Sequence, residues 1–83
     1  MADGTQHYLH DVLRELLDRA RDAKARARAA GPASTSSDAA FANGRALAYY
    51  EVVSYLINQL DAFQIERTSV GLDAGLDVDR DLL

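Results

Sequence analysis

His7, His10 and Asp11 stand at i, i+3 and i+4, which on a helix brings two imidazoles and a carboxylate onto one face within about one turn. Such a trio can converge on a zinc ion when another chain supplies the fourth ligand. Two solvated histidines account for the same residues, and that reading prevails because the chain has no cysteine and no further histidine to close a tetrahedral shell. Cys-His and Ser-His-Asp nucleophiles are disfavoured on the same ground, since the serines gather in residues 31–37 (GPASTSS), where capping is sufficient use for a hydroxyl. Asp77, Asp79 and Asp81 alternate like the opening of a calcium loop, but the glycine at the sixth position and the bidentate glutamate at the twelfth are missing. Asp11, Glu15, Asp18 and Asp22 follow a helical stripe beside basic residues, where Glu15 can pair with Arg19 and Asp22 with Arg26, so a hydrolytic carboxylate pair is not indicated. The expectation is a protein that is not an enzyme and carries no cofactor or metal.

A second kind of chemistry is electrostatic. Arg14, Arg21 and Arg28 recur every seven residues and, with His10 and the flanking Lys24, draw a basic line on one helix face. At 1.5 Å per residue the line is about 20 Å long. It suits phosphates or an acidic protein surface, including this chain's own C-terminal residues. The nucleic-acid reading is weakened by the neighbouring acidic stripe, by a net charge of −4 and by the lack of interleaved aromatics. Arg45 and Gln59 are of another sort, polar residues set into an apolar helical face. They can recognise a ligand or a second protein, or bond across a self-interface and fix its register, which is the favoured reading.

These residues need helices to position them. From Tyr8 to Ala30 the apolar positions follow the i, i+3, i+4, i+7 rhythm, predicting a first helix over about residues 6–30 with Asp3 or Thr5 as its cap and Gly31-Pro32 as its stop. A second helix is predicted over about 38–66, capped by Thr35 or Ser37 with Asp38. Asn43-Gly44 normally marks a turn, but the periodicity stays in phase from Phe41 to Phe63, and Ala40, Gly44 and Ala48 form a small-residue ridge, so one helix is kept. Residues 68–83, with two glycines, four aspartates and scattered leucines, read as a largely irregular, mobile acidic tail. The organisation is thus a helical hairpin over 1–67 followed by a tail over 68–83.

Composition agrees with an all-α fold: 48% hydrophobic residues rich in alanine, one proline and no tryptophan among 83 residues. Residues 1–30 hold six Lys/Arg against five Asp/Glu (+1), whereas 38–83 hold three against eight (−5), so charge is polarised along the chain. No apolar run approaches the roughly 20 residues of a membrane span, and the first ten residues lack the order of a signal peptide, so no membrane partner and a cytoplasmic location are expected.

The apolar stripe of helix one covers an arc of about 140°, that of helix two about 200°. One helix cannot cover the other, and a chain this short without disulfides gains most from a second copy. The expectation is an antiparallel two-helix hairpin that dimerises into a four-helix bundle through Tyr49, Val52, Val53, Leu56, Gln59, Leu60 and Phe63. Arg14, Arg21, Arg28 and Arg45 are the candidate residues for meeting another partner. In function this is a small, non-catalytic, bacterial-type helical protein, a homodimeric interaction module or regulatory adaptor. The alternative is a nucleic-acid-binding accessory protein that uses the basic line.

Overall fold

The apolar rhythm of the N-terminal half becomes α1 (Gly4–Ala30), which turns Leu13, Leu17, Ala20, Ala23 and Ala27 inward. The computed structural model describes residues 4–83. Asp3 therefore lies outside the described residues, and Thr5 sits inside the helix as its second residue. Gly31 stops α1 by taking a left-handed conformation (φ 86°) while its N–H donates to Ala27 O at 3.1 Å, satisfying one of the carbonyls that every helix end leaves open.

After a short 3-10 turn (Ala33–Thr35) the chain enters α2 (Ser37–Ala62). Its cap is Ser36, whose hydroxyl accepts from the Ala39 N–H at 3.0 Å, rather than Thr35 or Ser37; the Thr35 hydroxyl is engaged instead with Pro32 O. The helix runs unbroken through Asn43-Gly44 because the Asn43 side chain is used elsewhere. Its amide donates to Gly31 O at 2.9 Å and to Ala39 O at 2.8 Å, tying α2 to the end of α1. The ridge of Ala40, Gly44 and Ala48 is exposed, and close approach of the two helices uses Ala20, Ala23, Ala27 and Ala39.

α2 ends at Ala62, four residues short of the expectation. Gln64 adopts φ 58°, its N–H donates to Asp61 O, and the Ile65 N–H reaches back to Leu60 O at 2.9 Å, the Schellman pattern with glutamine where glycine is usual. Periodicity could not see this stop, because Phe63 and Ile65 keep the apolar composition going beyond it.

The expected mobile tail is corrected. A second 3-10 turn (Arg67–Val70) is closed by Gly71 at φ 82°, and a short α3 (Val78–Leu82) follows. Val70, Leu72, Leu76 and Leu82 are buried and join Leu13, Leu17 and Ala20 of α1 and Val53 and Ile57 of α2 in one core. Glycine and aspartate signalled disorder; the leucines, buried by docking on α1 and α2, outweigh them.

The molecule is all-α, with no strand among the described residues. Contacts retreat along α1 as α2 advances: Asn43 meets Gly31, Arg45 meets Asp22, and Val53 and Ile57 share the core with Leu13 and Leu17. The result is elongated, 49 × 21 × 17 Å, with 5657 Å² of accessible surface, where a compact monomer of this mass exposes about 4,900 Å².

Candidate functional site

Among the described residues, several of the exposed apolar ones lie on α2 and at its C-cap, Phe63, besides Tyr8 on α1 and Leu83. Phe41 (73% exposed), Val52 (46%), Tyr55 (61%) and Phe63 (74%) share a stripe with Arg45, Ala48 and Gln59. Their steps of 4, 3, 4, 3, 4 and 4 residues keep all seven within an arc of about 80° at 100° per residue. The core-facing residues Ala39, Val53 and Ile57 lie about 120–160° round the helix, so the stripe is a second face, distinct from the one that packs on α1. Such 4-3 spacing is that of a helix–helix seam.

The seven residues expected at a dimer interface divide between these faces. Val53 is buried in the chain's own core and Tyr49, Leu56 and Leu60 pack, half-buried, against it, while Val52, Gln59 and Phe63 belong to the outer stripe. The reason is the docked C-terminal segment. It covers part of the arc that α1 cannot, so the leftover face is narrower than two helices alone would leave and is shifted toward Phe41, Tyr55 and Phe63.

Arg45 and Gln59 flank the stripe's centre in prepared states. The Arg45 guanidinium lies over the Tyr49 ring, 5.1 Å from its centroid, with Asp22 Oδ2 at 3.9 Å. The Gln59 amide Nε2 donates to the Tyr55 hydroxyl at 3.0 Å, which turns the side chain's donor end toward its own helix.

On α1 the basic line is laid out as its spacing implied: Arg14, Arg21 and Arg28 are exposed. Part of its field is spent within the chain. Lys24 Nζ donates to Arg80 O (3.3 Å) and Asp81 O (3.0 Å), and Arg21 adds a weaker pull on the Asp81 carboxyl. Asp81 is held below the usual carboxylate range, chiefly by its hydrogen bonds from Arg80 and then by the Asp77 N–H.

The other residues with chemical promise have structural uses. Asp77 caps α3 by accepting from the Arg80 N–H at 3.1 Å, Asp79 accepts the Tyr50 hydroxyl proton's hydrogen bond at 2.5 Å, and Asp81 pairs with Arg80. The alternation of aspartates is thus that of a clasp. The Tyr50 phenol is pushed up from its ordinary value by that bond to Asp79 first and by burial second. His10 packs its ring against Gly71, with Nδ1 3.8 Å from Asp11, while His7 is exposed; among the described residues no three His, Cys, Asp or Glu side chains are grouped as metal ligands are. Glu15–Arg19 and Asp22–Arg26 form at 2.9 and 2.8 Å, the surface pairs their spacing dictates.

No helix among the described residues is long and apolar enough to cross a membrane. No protein-family model, no curated protein and no solved structure matches the chain.

Proposed function

We propose that this chain is a non-catalytic cytoplasmic interaction module or regulatory adaptor that works as a homodimer. In this reading α1 and α2 form an antiparallel hairpin clasped by the C-terminal segment, and two hairpins join along the outer face of α2 into a four-helix bundle. The carrying observation is the stripe of Phe41, Val52, Tyr55 and Phe63, exposed although the chain's own core is complete. Soluble monomers seldom leave so long an apolar strip uncovered. The three aromatics, at about 200 Å² each and about 60–75% exposed, offer on the order of 400 Å² per chain, or roughly 800 Å² in a pair. Val52, Arg45 and Gln59 carry the contact to the roughly 1,000 Å² that a specific interface needs.

Sedimentation equilibrium over micromolar concentrations tests this. A dimer of the 9.1 kDa chain is expected, with Val52→Asp giving a folded monomer because Val52 is outside the core. A 9.1 kDa species at every concentration would overturn the proposal.

The nucleic-acid reading has less support, since the Asp81 carboxyl lies within reach of Arg21 and Lys24 is bonded to the Arg80 and Asp81 carbonyls. It predicts duplex binding that weakens steeply with salt and is lost when Arg14, Arg21 and Arg28 become glutamine.

A further inference from the structure

We infer that the second copy lies antiparallel along α2, with the two-fold axis at Val52 and Arg45 of each copy against Gln59 of the other. This rests on the self-association proposed above and adds its direction and register. The spacing about Val52 is partly symmetric: Phe41 and Phe63 stand eleven residues either side and Arg45 and Gln59 seven either side, with Ala48 four before and Tyr55 three after. Under a two-fold axis perpendicular to α2, each residue meets the one at the mirrored offset on the other copy. Antiparallel pairing sets Phe41 against Phe63 at both ends and Val52 against itself at the centre. The paired stretch, 41 to 63, is about 33 Å of helix.

Charge decides the direction. Parallel pairing in register would press Arg45 against Arg45 and Gln59 against Gln59, a like-charge contact at a desolvated seam. Antiparallel pairing gives the guanidinium, which has donors only, an amide carbonyl to meet. The Gln59 Nε2 is already committed to Tyr55, so Oε1 is the end left to accept. The Arg45 guanidinium is turned over Tyr49 and toward Asp22 of α1 at 3.9 Å, so it swings outward to meet Gln59 of the other copy.

The sign of one substitution separates the two directions. In the antiparallel pair, Gln59→Glu faces Arg45 with a carboxylate and is expected to tighten the dimer by about fivefold to tenfold in sedimentation. In a parallel pair it sets carboxylate against carboxylate and loosens it. A tighter dimer supports the inference; an unchanged or weaker one overturns it while leaving self-association standing. As a second measurement, differently tagged Phe41→Cys and Phe63→Cys chains are mixed and oxidised. A mixed disulfide without homodisulfides supports antiparallel pairing, and homodisulfides alone refute it. A wild-type chain that sediments only as a monomer removes both readings together.

Discussion

Gly71 is where the C-terminal segment is pinned, and replacing it by alanine tests how that segment is held. Two costs add. The backbone at φ 82° suits glycine, and a Cβ there costs about 1 kcal/mol in strain. The same Cβ would overlap the far end of the half-exposed His10 imidazole, and swinging that ring aside costs about 0.5–1 kcal/mol in lost contact. Gly71→Ala is therefore expected to lower unfolding free energy by about 1.5–2 kcal/mol. In a His10→Ala background the steric part vanishes and only about 1 kcal/mol of strain remains. The double-mutant cycle should show coupling of about 0.5–1 kcal/mol, above the few tenths expected of independent sites. Urea unfolding followed by far-ultraviolet circular dichroism at one fixed protomer concentration measures it. If Gly71→Ala costs the same with and without the histidine ring, the packing of His10 on Gly71 does not hold the segment, and the reasoning fails.

Three further outcomes are expected. Gly44→Ala should raise stability by about 1 kcal/mol, because a Cβ there meets nothing within 4 Å and alanine is the better helix former; a loss in thermal or urea unfolding would show hidden crowding. Gln64→Gly should stabilise by about 0.5 kcal/mol and Gln64→Val destabilise by about 1–2 kcal/mol, since residue 64 must hold a positive φ; the same melts rank the three. The Asp81 carboxyl titrates lower folded than unfolded, so its contribution is fully present above the usual carboxylate range and is lost as pH falls through the folded value. Acid titration of stability should therefore be shallower below about pH 4 in Asp81→Asn than in the wild type.

The long elements were readable because each has one dominant period and Gly31-Pro32 separates them, although the end of α2 at Ala62 carried no such mark. The C-terminal segment was not, because its apolar residues at 70, 72, 76 and 82 follow no helical or strand period. They are spaced by a turn at Gly71 and a loop at Gly75, and they acquire meaning only against a surface made by distant residues. Periodicity rightly overrules the turn signal at Asn43-Gly44, but the use of the Asn43 side chain was hidden, since it is consumed by Gly31 O, twelve residues away. Of the candidate interface, Val52, Gln59 and Phe63 were visible as apolar-arc members, whereas the assignment of Val53 inward and Phe41 outward depends on where the C-terminal leucines dock. The uses of Asp77, Asp79 and Asp81 were hidden likewise, since Tyr50 is 29 residues from Asp79.

The rod's two ends are unlike, and that sets where it opens. Around Leu13, Leu17, Val53 and Ile57 three chain segments share large side chains, whereas toward the connecting turn the α1–α2 contact narrows to alanines at 23, 27 and 39, which remove far less apolar area from water, with Leu82 and Leu83 alongside. Amide hydrogen exchange should accordingly show two cooperative units, with protection falling toward the turn and the leucine end reporting global unfolding. Phe41 and Arg45 sit on the weaker unit, so a partner seated there stiffens the half that breathes most. Slowed exchange at residues 23–46 would then be the earliest trace of an occupied face, visible before any change in melting temperature.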